Sequence, residues 1–203
     1  MNAAASLRSA LFCLIAAAAP AFAVAPGQSV ANFKLPDQDD KSHELYALQA
    51  RKAVVVMIQG NGCPIVRQAL PALQEIRERY EAKGVEFLLL NPNLQDNRES
   101  VAHEAKEFDI KMPILIDGTQ AVGEALGVQR TSEVFVIDPK NWKLVYRGPM
   151  DDRLSYERQR PAASHHYLID ALDATLAGQA VAVPYADGVG CIVNFPERGK
   201  KKT

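Results

Sequence analysis

The stretch AVVVMIQGNGCPIVR, residues 53–67, restricts the fold more than any other part of the chain. Its opening run is continuously apolar and largely β-branched. That is the mark of a strand buried on both faces, and so of a sheet covered by helices above and below. The run gives way to Gln59, Gly60, Asn61 and Gly62, and then to Cys63-Pro64. Beyond it Val66, Ala69, Leu70, Leu73, Ile76 and Tyr80 keep helical spacing until Gly84. A strand therefore turns sharply into a helix and leaves Cys63 at the helix tip.

That position has a chemical consequence. Unpaired N–H groups and the macrodipole at a helix N-terminus stabilise a thiolate, which lowers the thiol pKa and makes a nucleophile near neutral pH. Pro64 suits the first helical position, where no N–H is needed. The ordinary alternative is a buried structural cysteine, because cysteine packs like a small hydrophobe. The polar Gly-Asn-Gly approach favours a loop tip near solvent instead.

The remaining segments alternate in type. Residues 33–36 and 42–45 flank the turn-rich DQDDK and predict a hairpin. Residues 85–90 and 114–116 are apolar strands, with a helix capped by Asp96 or Asn97 between them and a short helix over 119–126 after them. Residues 133–138 and 143–147 form an antiparallel hairpin across a Pro-Lys-Asn turn. Residues 162–177 carry a last amphipathic helix ended by Gly178, and a Gly/Pro-rich extended tail holds Cys191. The class is α/β, a mixed sheet with helices on both faces.

The N-terminal residues read differently. Arg8 precedes ALFCLIAAAAP and the small-residue pattern Ala21-Phe22-Ala23, which together make a secretory signal peptide over 1–23. Its apolar part is too short to favour a membrane span, so no stable membrane anchor is expected. Residues 24–196 then form a single domain, and 197–203 a basic disordered tail. Cleavage removes Cys13 and leaves Cys63 and Cys191, an even pair for an oxidising compartment, secreted or periplasmic. It also removes Arg8, leaving 22 basic residues against 24 acidic ones. That balance offers no footprint for nucleic acid.

CPIVRQALPAL, residues 63–73, resembles the active-site helix of the thioredoxin-like superfamily, which begins with a nucleophilic cysteine and carries a proline where this chain has Pro71. An interior proline costs a helix hydrogen bond, so its presence at that offset is informative. Residues 30–60 resemble the N-terminal hairpin and first core strand of redoxins of the alkyl hydroperoxide reductase/thiol-specific antioxidant branch. The late GPMDDR and VGCIVNF segments resemble a secreted redoxin group. The resemblance implies a thioredoxin-like fold with an N-terminal β-hairpin extension and an extended C-terminal tail. It also implies thiol–disulfide exchange without an organic cofactor, on protein or small-molecule thiol/disulfide partners.

The chain departs from that pattern in ways that bear on activity. Val66 replaces the resolving cysteine of a CxxC motif, so the ordinary dithiol cycle cannot run there. Gly60 stands where a peroxiredoxin places Thr or Ser to position peroxide, which makes thiol peroxidase activity the weaker reading. Ser132, in QRTSEVFV, takes the place of the family's cis-proline, and a trans, altered loop is expected because a cis bond without proline costs about 3 kcal/mol. Cys191 is the candidate resolving partner for a Cys63 nucleophile, or else one end of a permanent staple. Asn61, Gly62, Pro64, Pro71 and Ser132 shape the helix tip and loop.

A metal-binding redoxin, for copper, that uses the cysteines with a histidine and lacks turnover is the alternative function. His43, His103, His165 and His166 match no ligand spacing, so no metal ligand is assigned. Asp151-Asp152-Arg153 reads as a cap or turn.

Overall fold

The computed structural model describes residues 24–155 and 159–196. The predicted signal peptide over 1–23, with Cys13, and the basic tail over 197–203 lie outside the described residues. The mixed sheet runs in the order β5-β4-β3-β6-β7, from β3 (Ala53–Ile58), β4 (Val85–Asn91), β5 (Ile114–Ile116), β6 (Val134–Asp138) and β7 (Lys143–Gly148). β3, β4 and β5 are parallel, while β6 runs antiparallel to both β3 and β7. A separate two-stranded hairpin, β1 (Lys34–Pro36) and β2 (Ser42–Glu44), precedes them and leads into a 3-10 turn at Leu45–Leu48. This is the thioredoxin-like arrangement that the resemblance implied.

β3 is buried along its whole length, as its unbroken apolar run requires. Its alternate side chains serve two cores. Ala53, Val55 and Met57 meet α1 (Pro64–Glu81), α2 (Arg98–Glu107) and α4 (Tyr167–Leu176) through Leu73, Val101 and Leu172. Val54, Val56 and Ile58 face Val30, Leu45 and Leu126, the last from α3 (Ala121–Leu126). Each fully buried Val, Ile or Leu stabilises the fold by about 1.5–3 kcal/mol relative to exposure.

Asn97 caps α2, accepting the Ser100 amide at 2.9 Å while the Ser100 hydroxyl accepts the Asn97 amide at 3.1 Å. The last helix starts later than its amphipathic pattern suggests, at Tyr167 rather than near 162. The carboxylate of Asp152 explains the delay. It accepts the amides of Ser164 at 2.7 Å and His165 at 3.0 Å, which holds that segment outside the helix.

The tail after Gly178 does not hang free. Its Pro184 carbonyl accepts the Arg147 amide at 3.0 Å, and the Ala186 amide returns to the Arg147 carbonyl at 3.2 Å, so it runs along the edge of β7. Farther on it pairs with the loop before β6, where the Val193 amide reaches the Gln129 carbonyl at 3.0 Å. Its end is pinned where the Gln120 amide nitrogen donates to the Asn194 carbonyl at 2.9 Å. No helix among the described residues is long and apolar enough to cross a membrane.

Candidate active site

Cys63 is the N-cap of α1, with Pro64 at the first helical position. The turn that delivers it is built from both sides. Gly62 takes a φ of +72°, open to glycine without strain. Its amide donates to the Glu104 carboxylate at 3.1 Å, and Arg67 closes a two-pronged ion pair on that same carboxylate at 3.1 and 2.9 Å. The amide of Asn61 donates to Asp96 at 2.9 Å. The Asn61 side chain accepts from Gln59 at 3.0 Å and donates to Ser100 at 3.1 Å. Pro71 lies within α1 on an exposed position and leaves the helix unbroken.

The loop before β6 covers the sulfur. The Ser132 amide donates to the Ile58 carbonyl at 2.7 Å, and the Ile58 amide to the Glu133 carbonyl at 2.8 Å, which sets residues 131–132 against the end of β3. No peptide bond among the described residues is cis, and Ser132 adopts a φ of +66°. That left-handed conformation costs a non-glycine residue about 1–2 kcal/mol. The hydroxyl that meets the sulfur belongs to its neighbour, Thr131, whose Oγ1 lies 3.1 Å from Cys63 Sγ.

Cys191 completes the site. Its Sγ lies 3.1 Å from Cys63 Sγ, and both thiols are free. Its amide donates to Thr131 Oγ1 at 2.9 Å, and its carbonyl accepts the Thr131 amide at 2.9 Å. Because Thr131 Oγ1 already accepts that amide, its own hydrogen is available to the Cys63 sulfur. Gly190 makes the approach possible, since a Cβ there would sit 1.9 Å from the Thr131 carbonyl oxygen. A buried ion pair, Arg147 to Glu133 at 3.1 Å, stiffens the same loop, with Glu133 also accepting the Gln129 amide at 2.8 Å.

These contacts divide the two thiols electrostatically. Burial alone would raise the Cys63 pKa. The Thr131 hydroxyl and the Val66 amide of the first helical turn outweigh it, helped by the Cys191 thiol and amide. The net shift is below the ordinary thiol value. Burial and the adjacent Cys63 sulfur push Cys191 the other way. Of the two thiols, Cys63 is therefore the one that gives up its proton first.

In two respects the site differs from the sequence reading. Cys63 does not stand at a solvent-facing tip; it is 3% exposed, because Thr131 and the docked tail cover it. The tail that carries Cys191 is extended but anchored. Neither Thr131 nor Glu104 is singled out by sequence. The only signal for Thr131 is its place beside Ser132, and Glu104 shows merely as an acidic residue on the α2 pattern.

The other readings can be set against the geometry. A Cβ at Gly60 would lie 2.5 Å from Asn93 Nδ2 and 2.9 Å from the Thr131 methyl. Those neighbours fill the space that a peroxide-positioning Thr or Ser would need. Among the described residues no three His, Cys, Asp or Glu side chains gather as a metal site. His43 pairs with Asp37 at 2.7 Å, His103 faces Glu107, His165 stacks on Tyr167, and His166 is the N-cap residue before α4. Asp151 and Asp152 turn the chain, Asp151 by pairing with Arg153 at 2.8 Å. An apolar cavity of about 430 Å³ between Val30, Phe33, Val122 and Leu126 belongs to the opposite core from Cys63.

Comparison with known proteins decides the family. The family model for Redoxin matches residues 25–160. The chain belongs to the Redoxin family. This redoxin is 32% identical over 121 residues to the Thiol-disulfide oxidoreductase ResA of Bacillus cereus, a match covering 59% of this chain and 66% of that protein. The matched stretch thus spans about two thirds of that relative's length. It superposes on the crystal structure of an uncharacterized conserved protein from Geobacillus kaustophilus with a TM-score of 0.77 and 28% identity, over 86% of this chain and 94% of that one. Peroxidoxin BcpB from Mycobacterium tuberculosis shares the fold at a TM-score of 0.58 and 21% identity, over 76% and 97%.

Proposed function

We propose that this redoxin acts by thiol–disulfide exchange through the Cys63–Cys191 pair, on the thiols or disulfides of a protein or small-molecule partner, after export to a periplasmic or extracellular space. The observation that carries the reading is the 3.1 Å separation of the two sulfurs, closed by one hydroxyl that bonds to both residues. The thiol-disulfide oxidoreductases among its relatives support it. Export rests on the signal-like residues 1–23 and the even cysteine pair.

The chemistry needs only the sulfurs. Forming the Cys63–Cys191 bond releases two electrons and two protons to a partner disulfide, which becomes two thiols. The reverse exchange oxidises a partner dithiol. Cys63, as thiolate, is the nucleophile that attacks sulfur within the site, and the Thr131 hydroxyl stabilises its charge before bond formation and after bond cleavage. The side chain of Val66, at the position of a CxxC resolving cysteine, packs in the core and supplies no sulfur. The partner sulfur comes instead from the tail, which does by docking what a one-turn motif does by local spacing.

Oxidation with diamide, followed by unfolding and alkylation, tests the proposal. The expected product has one intramolecular bridge and no label on either cysteine. It equilibrates with a glutathione redox buffer as a two-electron couple. Full labelling of both cysteines after oxidation would remove the exchange function.

A further inference from the structure

The two sulfurs touch each other, but only one residue of the pair is within reach of a partner. Cys63 is 3% exposed and packs in the same core as Val66, Ala69 and Leu70. Cys191 is exposed, and the next residue, Ile192, is 65% exposed. Resting on the exchange reading above, we infer that Cys191 is the sulfur that bonds to the partner, and that Cys63 attacks and leaves from Cys191 inside the protein. The division in which Cys63 meets the partner and Cys191 resolves is thereby exchanged.

Displacement at sulfur is close to linear: the attacking, central and leaving sulfurs lie on one line. To attack Cys191 and expel Cys63, a partner thiolate must approach from the side of Cys191 away from Cys63, and Cys191 is an exposed residue. To attack Cys63 and expel Cys191, it must reach a sulfur whose residue is 3% exposed and belongs to the buried core. The leaving group agrees with the geometry. A thiolate of lower pKa leaves faster, and the Thr131 hydroxyl and Cys191 amide are already in place to receive charge on Cys63. Two backbone contacts to Thr131 hold residue 191 against the loop while its sulfur is bonded elsewhere.

The steps balance. A partner thiolate attacks Cys191 Sγ, the Cys63–Cys191 bond breaks, and Cys63 departs as thiolate. A second partner thiolate then attacks the partner sulfur of the mixed disulfide and expels Cys191, which takes up a proton. The partner dithiol has become a disulfide and the protein a dithiol. In the opposite direction, Cys191 gives up its proton as it attacks a partner disulfide, and the partner thiolate it expels takes that proton. Cys63 then attacks Cys191 Sγ, restores the bridge and releases the other.

The test uses the full chain in its oxidised form and reduced glutathione as the probe. A brief pulse is stopped with acid, the protein is unfolded and free thiols are capped with N-ethylmaleimide before peptide masses are read. The expected species carries glutathione on Cys191 and maleimide on Cys63. Glutathione on Cys63 with maleimide on Cys191 overturns the inference. Maleimide on both cysteines before any pulse would mean that no bridge forms, and the exchange reading itself fails. A second arm compares the single-cysteine variants with oxidised glutathione. Cys191 in Cys63→Ser is expected to form its adduct roughly tenfold or more faster than Cys63 in Cys191→Ser, because Cys63 is buried and reactive cysteines need exposure as well as thiolate character. Equal rates, or faster reaction at Cys63, count against it.

Discussion

Thr131 Oγ1 lies 3.1 Å from Cys63 Sγ and accepts the Cys191 amide at 2.9 Å, so one hydroxyl both stabilises the thiolate and holds its partner in place. Replacing it with an isosteric methyl separates these roles from packing. In Thr131→Val the Cys63 pKa rises, since one of the groups that lowered it is gone. With Cys191→Ser in both backgrounds, so that Cys63 is the one thiol read and the tail stays docked by its backbone bonds, iodoacetamide labelling of Cys63 at pH 7 should slow roughly tenfold, the worth of a charge-assisted hydrogen bond. Thr131→Ser should retain most of the rate. Unchanged labelling in Thr131→Val would remove the hydroxyl from the account.

Gly190 lets the tail reach the sulfur. Adding a Cβ 1.9 Å from the Thr131 carbonyl oxygen forces the tail outward. Gly190→Ala should therefore form the Cys63–Cys191 bridge at least several-fold more slowly under diamide. Its far-ultraviolet circular dichroism should stay that of the wild type, because the sheet and helices do not depend on this contact.

Ser132 stands where the family's proline would be, yet proline is now excluded. Its φ is +66° and its amide donates to the Ile58 carbonyl at 2.7 Å, and proline supplies neither that angle nor that donor. Ser132→Pro is expected to destabilise the reduced protein by about 3 kcal/mol or more in urea unfolding. A neutral effect would mean that the loop readily adopts the family conformation.

The bridge should report itself in stability. It closes a loop whose ends are 128 residues apart, so chain entropy makes the oxidised protein about 3–5 kcal/mol more stable than the reduced one. That gap should vary with pH. The lowered Cys63 pKa stabilises the reduced fold above the thiol's unfolded value of about 8.5, and this contribution is lost as pH falls through the folded value. The raised Cys191 pKa acts oppositely and withdraws stability above about 8.5. Relative to the oxidised form, the reduced form should thus gain stability as pH rises towards about 8.5 and lose it beyond. Denaturant midpoints of both forms across that range provide the check.

Much of the fold was legible because its signals are local. The apolar run of β3, the Asp96-Asn97 cap signal before α2, of which the structure uses Asn97, and the Gly84 stop after α1 each act within a few residues. The start of α4 was not legible, because it depends on the Asp152 carboxylate taking amides more than ten residues away. The same holds for Glu104, whose contacts to Gly62 and Arg67 join α2 to the turn and first helix turn about 40 residues earlier.

By itself the sequence determined that Cys63 sits at the tip of a helix after a buried strand, because strand, turn and helix are all encoded within residues 53–84 by apolar pattern, glycine and proline. It also named Cys191 as a possible partner, by counting alone. Only the tertiary structure decided that the two sulfurs meet and that Thr131 lies between them. It alone showed that the helix-tip cysteine is the buried one. Those relationships depend on how the tail docks through Gly190, Val193 and Asn194, and no local pattern records a distance between residues so far apart along the chain.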